Sequence, residues 1–339
     1  MEQGRSLGAR AARGARGGSA VSARRTFITG ATGVLGGALV PMLLERGDHV
    51  VVLVRDELRG NALARAGLLA DCDVVHGDLL DPALLDRAIG EHEIDSVFHL
   101  AAQTIVGIAR RSPVSTYEAN VRGTWLLLDA CRVHEVERVV VAASDKAYGA
   151  SDVLPYTEDL PLNATAPYDV SKAATDLITR SYAHTYGVPA ATTRFANLYG
   201  PGDLNPSRLI PEVIVAALEG RPAIIRSDGS PERDLLYVDD AARAYLAIAD
   251  LIDTNPAAAV GEAFNAGTGR GTSVREIVDT IIAIVGGDAS ADYRGAGVPE
   301  GEIDRQSVDP SKLTGLTGWS AQVGLEEGLR RTIDWYRGR

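Results

Sequence analysis

The segment Gly30-Ala-Thr-Gly33-Val-Leu-Gly36 follows the short apolar run Thr26–Thr29 and opens the helical run GGALVPMLLERG. No other feature restricts the fold as strongly. Glycines at this spacing let the chain turn tightly from strand to helix, and let a pyrophosphate approach the backbone at the helix N-terminus. Gly30, Thr32, Gly33, Val34, Leu35 and Gly36 are therefore expected to form one wall of a dinucleotide site. The chain then alternates. HVVVLV (49–54), CDVVHGDL (72–79), SVFHLAA (96–102), RVVVAAS (138–144) and PAATTRFAN (189–197) are apolar and rich in β-branched residues, with helical patterns between them. Strands buried on both faces read this way, so the fold class expected is α/β, with a doubly wound parallel sheet.

Two intervening helices stand out. SPVSTYEANVRGTWLLLDACRVHEV (112–136) has a cap-like Ser112-Pro113 start, and PYDVSKAATDLITRSYAHTYG (167–187) runs from a proline to a glycine. After residue 197 the texture becomes loop-like with shorter helices, as expected for a smaller, interleaved substrate-binding lobe. The domain reading is residues 26–197, with a return over 236–268, for the cofactor half. Residues 198–235 and 269–339 form the lobe. The first 25 residues carry six Arg, five Gly and a single acid. They are expected to be a disordered arm or to lie before the true start; a transit peptide is the second reading, and Arg24-Arg25 mimics a twin-arginine signal.

The net charge of −11 argues against nucleic acid as a partner. No apolar run is long enough to span a membrane. Cys72 and Cys131 lack metal-ligand spacing, so no metal is expected, and buried thiols in a reducing cytoplasm are the reading.

Chemistry gathers at three places. Tyr168 and Lys172 are four residues apart, on one helix face. A lysine cation beside a phenol favours the phenolate, which makes Tyr168 a general base. Ser144, at the carboxyl end of a strand, supplies a second hydroxyl where such sheets bind ligands. At the tip of the second strand Arg55 suits a 2′-phosphate and leans towards NADP, while Asp56 keeps NAD open. Asp78, with Leu79, either meets the adenine or caps the following helix.

These motifs, with TGATGVLG, GDL, HLAAQ, NVRGT, YDVSK, RFANLYGPG, RDLLYVDDAARAY and the closing GW…GL…TIDWY, resemble the extended short-chain dehydrogenase/reductases of the nucleotide-sugar epimerase/dehydratase family. The resemblance runs from about residue 25 to the C-terminus. It implies a Rossmann domain, a tightly bound and recycled NAD(P)+, a nucleoside-diphosphate sugar as substrate, and a homodimer built on helices 112–136 and 167–187. By match, Ala101, Ala102 and Gln103 would line the cofactor. Asn120, grouped with the cofactor site, would support the active-site helix. Asn197 and Arg233 would reach the substrate diphosphate, with Arg208 nearby.

Ser144-Asp145-Lys146 bears on which reaction follows. Oxidation at sugar C4 is common to 4-epimerases and 4,6-dehydratases. A dehydratase must also remove the C5 proton and protonate the departing C6 hydroxyl, and such enzymes resemble this acid-plus-base pattern. Asp145 would be the acid. Lys146 stands where many family members carry a glutamate, and could serve as a base only when neutral; otherwise Asp145 handles both protons. An ordinary surface ion pair is the plain alternative. HLAAQ, SDKAYG and SRLIPEVI…IIRSDG resemble CDP-glucose 4,6-dehydratases, whereas RDLLYVDD resembles the general family form. The expectation is an NDP-hexose 4,6-dehydratase, with a 4-epimerase second and a non-catalytic NAD(P)-binding sensor or scaffold third.

Overall fold

The computed structural model describes residues 23–56, 60–298 and 303–338. Seven strands form one parallel sheet in the order Ala263–Ala266, Ala190–Phe195, Arg138–Ala142, Ser96–His99, Arg25–Thr29, His49–Val54, Asp73–His76. The chain winds outward in both directions from the junction of the first strand, Arg25–Thr29, with Ser96–His99. That junction is the topological switch point, where a doubly wound sheet opens a crevice at its carboxyl ends.

Period-two alternation divides the strands between two cores. Val50, Val52 and Val54 pack with Leu39, Val40 and Leu43 of helix Val34–Glu45, and with Ile248 of helix Val238–Thr254. Val51 and Leu53 face the other way, joining Leu85 and Ile89 of helix Pro82–Glu91 and Leu127 of helix Gly123–Val133. The sheet is thus covered on both faces, in a Rossmann-type α/β architecture. Segment 236–268 contributes both a covering helix and the last strand of the main sheet.

Beyond that sheet lie short pairings. Asn197–Tyr199 runs beside Leu235–Tyr237, and Ala223–Ile225 beside Ala291–Tyr293. Glu232–Arg233 lies between Thr272–Ser273 and Arg305–Gln306. Helices Leu209–Leu218, Val274–Val285 and Leu325–Arg337 pack around them.

Three sequence expectations change in detail. The long helix over 112–136 is broken into Pro113–Tyr117, a π turn at Glu118–Arg122, and Gly123–Val133, and Ser112 makes no side-chain cap bond at its start. Arg24 and Arg25, grouped with the arm on composition, belong to the fold: Arg25 opens the first strand, and Arg24 pairs with Asp253 at 3.0 Å. The rest of the arm lies outside the described residues. Cys131 is buried as expected, but Cys72 is only half-buried. No helix among the described residues is long and apolar enough to cross a membrane.

Candidate active site

The carboxyl ends of the strands open onto one cleft of about 1220 Å³, larger than the ~300–1,000 Å³ of a single-ligand pocket. It has room for two ligands end to end. Every site residue singled out in the sequence lines it except Asn120.

At the cofactor end, Gly30 turns with φ +78°, and a Cβ there would stand 2.6 Å from the Ala101 amide nitrogen. A side chain is excluded both by the left-handed backbone and by that close approach. Gly33 is different. It precedes helix Val34–Glu45, and a Cβ on it would meet only the Gly30 carbonyl oxygen, at 3.3 Å. The missing side chain leaves the helix N-terminus open to the cleft, and no acidic residue in the first turn offsets its positive end. The cradle fits a pyrophosphate, and Thr32, Val34, Leu35 and Gly36 border it.

The second strand ends at Val54, and just beyond it the exposed Arg55 Nε pairs with Asp56 Oδ2 at 2.7 Å. The guanidinium is already balanced by a carboxylate. Both residues line the cleft, so an acid suited to ribose hydroxyls stands beside the arginine at the strand tip. The cap reading of Asp78 does not hold. Asp81 caps helix Pro82–Glu91, accepting from the amides of Ala83 and Leu84, whereas Asp78 only accepts from Leu80 N at 2.9 Å and, with Leu79, lines the cleft.

Asn120 sits behind the wall. Its Oδ1 accepts from Gln103 N at 2.7 Å, and its Nδ2 donates to the Gln103 carbonyl and, at 2.9 Å, to Ser171 Oγ. The π turn aims this amide inward, as such turns often do at functional sites. Asn120 therefore braces the Ala101-Ala102-Gln103 wall against helix Pro167–Tyr186 and does not itself face the cleft. Its grouping with the cofactor-lining residues is corrected accordingly.

At the catalytic end, Tyr168 and Lys172 are both buried on that helix. The expected lowering of the phenol does not occur here. Burial pushes Tyr168 up to about 12; Arg208 pulls it down, the Asp145 charge adds to the rise, and the Ser144 hydroxyl opposes it. Lys172 is itself driven down to about 8 by burial, and its Nζ donates to the Ala142 carbonyl at 2.7 Å. The cation that favours the phenolate is thus Arg208, a residue expected only near the substrate. Arg208 also pairs with Asp203 at 2.8 Å.

Residues Asp145–Tyr148 form a single 3₁₀ turn started by Ser144, whose Oγ accepts from Lys146 N at 3.2 Å and donates to Asp145 Oδ1 at 3.0 Å. Asp145 is no surface charge: it is 2% exposed. Burial pushes its carboxyl up to about 6, against the pull of Lys146 and the Ser144 hydrogen bond, with Asp234 raising it further and Arg233 lowering it. Among the described residues its Oδ2 is buried without a hydrogen-bond partner. A buried acceptor with no partner, at the wall of a cleft, is placed to meet a ligand. Lys146 Nζ donates to Gln306 Oε1 at 3.3 Å.

Asn197 and Arg233 also line the cleft. Asn197 Nδ2 approaches the Asp234 carbonyl at 3.5 Å, and Arg233 Nη1 donates to the carbonyls of Glu232 and Asp304. Two further acids were not anticipated. Asp169, beside Tyr168, has its carboxyl raised by burial and held down by Lys146 and Arg110. Asp234 is fully buried behind Asp145 and accepts from Thr268, Gly269 and Val308. Asp169 lies inside the YDVSK segment, so its nearness to Tyr168 was a usable signal; Asp234 follows Arg233 in the RDLLYVDD segment, though no spacing there pointed to Asp145.

The turn rests on a buried ion pair. Arg194 of strand Ala190–Phe195 meets Asp176 of helix Pro167–Tyr186 through two parallel bonds, Nε–Oδ2 at 2.8 Å and Nη2–Oδ1 at 2.9 Å. Its remaining nitrogen donates to the Tyr148 hydroxyl, the last residue of the turn, and to the Glu158 carbonyl, both at 3.1 Å.

The model of the NAD dependent epimerase/dehydratase family matches residues 26–267. A dTDP-glucose 4,6-dehydratase of Xanthomonas campestris pv. campestris is 33% identical over 333 residues, covering 91% of this chain and 92% of that protein. A UDP-glucose 4-epimerase of Mycolicibacterium smegmatis is 32% identical over 324 residues, covering 93% and 99%. Among solved structures, a dTDP-glucose 4,6-dehydratase from Streptomyces venezuelae with NAD bound superposes with a TM-score of 0.83 at 32% identity, covering 93% of this chain and 97% of that one.

Proposed function

Since the chain belongs to the NAD-dependent epimerase/dehydratase family, we propose that it is an NDP-hexose 4,6-dehydratase, which turns a nucleoside-diphosphate hexose into its 4-keto-6-deoxy form. The observation that carries this reading is Asp145: a buried carboxyl, raised to about 6, with one unpartnered oxygen, one residue after Ser144. A 4-epimerase has no use for a second acid beside the sugar ring. The dTDP-glucose 4,6-dehydratases among the relatives support the same reading; the 4-epimerases keep that activity as the second reading.

In this scheme NAD+ held by the Gly30–Gly36 loop and the Ala101-Ala102-Gln103 wall would supply the hydride acceptor for C4 and the hydride donor for C6. Tyr168, with Ser144, receives the proton of the C4 hydroxyl, and Arg208 favours the phenolate. The 4-ketone then acidifies C5–H. Asp145 gives its proton to the C6 oxygen, which leaves as water, while Lys146 or Asp145 takes the proton from C5. Asn197 and Arg233 hold the diphosphate. Residues 26–197 with 236–268 bind the cofactor, and 198–235 with 269–339 bind the sugar nucleotide. The cofactor is NAD, supported by the balanced Arg55–Asp56 pair and by relatives solved with NAD bound. Incubation with CDP-, dTDP-, UDP- and GDP-hexoses tests the scheme. At least one should yield a product lighter by one water; only isomers of unchanged mass would favour the epimerase.

We also assign a homodimer to this enzyme. Val114, Trp125, Leu177 and Tyr186 are 71%, 40%, 55% and 58% exposed, and all lie on the helices spanning 113–133 and 167–186. Large apolar side chains concentrated on two neighbouring helices mark an interface. Sedimentation should give a dimer for the wild type and a monomer for the double substitution Trp125→Glu, Leu177→Glu. A monomeric wild type at micromolar concentration would count against the assignment.

A further inference from the structure

Gln306 reaches Lys146 from 160 residues away in sequence. It sits on the two-residue strand Arg305–Gln306, beside Glu232–Arg233, and its backbone carbonyl accepts from Asp234 N at 2.9 Å. The side chain is 1% exposed, and its Nε2 is buried without a hydrogen-bond partner among the described residues. The orientation of this amide is dictated by Lys146, because an ammonium offers only donors and must meet Oε1. Leaving an NH₂ group buried and unbonded is the consequence of aiming the oxygen at the lysine. Such an orphan calls for a reason other than stability.

We propose that Gln306 is a positioning residue that keeps Lys146 usable as the base for C5. An amide oxygen accepts an N–H from the lysine whether the amine is charged or neutral, and it never takes the proton itself. The side chain is thereby held in place by a partner that does not compete for its proton, and it takes the C5 proton in its neutral form. A carboxylate at the same place would hold the ammonium as an ion pair and disfavour that neutral form. The other charges around Lys146 balance in part: Asp145 and Asp169 feel its charge, Arg233 and Asp234 lie beyond Asp145, and Arg110 lies beyond Asp169. The inference rests on the dehydratase reading. In the step it assigns, the C5 proton passes to Lys146 Nζ, the C5–H electron pair becomes the C5–C6 double bond, and the C6 oxygen leaves as water with the proton from Asp145.

Gln306→Glu and Gln306→Leu test it on the holoenzyme. In Gln306→Glu elimination should fall about tenfold and recover in part as the pH is raised, because the new carboxylate would favour the ammonium form. C4 oxidation, read as transient reduced cofactor, should keep its wild-type rate. Gln306→Leu, which keeps no acceptor, should lower kcat for elimination several-fold across the profile with KM little changed, and again spare C4 oxidation. A Gln306→Glu enzyme with the wild-type pH profile, or a Gln306→Leu enzyme with wild-type elimination, overturns the inference while the dehydratase reading stands. A wild type that forms no dehydrated product removes both.

Discussion

Replacing Asp145 by Asn is expected to lower the rate of water elimination roughly a hundredfold to ten-thousandfold, the usual worth of a positioned general acid. Asn is nearly isosteric and still accepts from Ser144, but it has no proton to give to the C6 oxygen. C4 oxidation uses Tyr168 and Ser144, so mixing enzyme and substrate should still produce a reduced-cofactor absorbance, now persistent instead of transient. A variant that dehydrates at the wild-type rate would remove Asp145 from the mechanism.

The same substitution should affect stability in the opposite sense. The folded state holds the Asp145 proton up to about pH 6, against 3.8 for the ordinary side chain. Between those values the native state binds more protons than the unfolded chain, so wild-type stability falls as the pH rises towards 6 and stays lowered above it. Asn carries no such cost. Asp145→Asn should therefore melt higher than the wild type at pH 8, and the difference should shrink below pH 4. A catalytic group that destabilises its own fold at neutral pH is what a site selected for chemistry predicts.

Arg194→Met should cost about 3–5 kcal/mol of stability, the range for removing one partner of a buried ion pair. Asp176 would keep a buried charge with only the Thr192 hydroxyl, at 2.9 Å, as a hydrogen-bond donor. Denaturant unfolding measures the loss. Changing both partners, Arg194→Met with Asp176→Leu, should recover much of it, because a matched apolar pair leaves no uncompensated charge. A loss under 1 kcal/mol in the single variant would mean that the pair does not anchor the turn. Arg194 also holds Tyr148, so the single variant should lose elimination before it loses cofactor binding.

What could be read from the sequence followed from short-range spacing. The Gly30–Gly36 loop, the Tyr168–Lys172 helix turn and the Ser144-Asp145-Lys146 segment each fall within seven residues, where backbone geometry fixes which groups are neighbours. A return to the main sheet was read over 236–268, including EAFNAG, and Ala263–Ala266 does pair with Ala190–Phe195. What escaped depends on three-dimensional surroundings. The elevated phenol of Tyr168 results from burial, opposed by Arg208, which is 40 positions along the chain. The π turn at Asn120 has no signature in a pattern of apolar residues. Asp78 was the cap candidate in sequence, and only the path of the backbone shows that Asp81 takes that place. The contact between Lys146 and Gln306 joins residues 160 positions apart, and no periodicity announces it.

The fate of the hydride tests the central claim most directly. Supplied with an accepted nucleoside-diphosphate hexose carrying deuterium at C4, the enzyme should give a product lighter by one water with the deuterium on C6, because the hydride removed in oxidation returns after Asp145 has released the C6 oxygen. Deuterium recovered at C4 of an isomer of unchanged mass would contradict the dehydratase account.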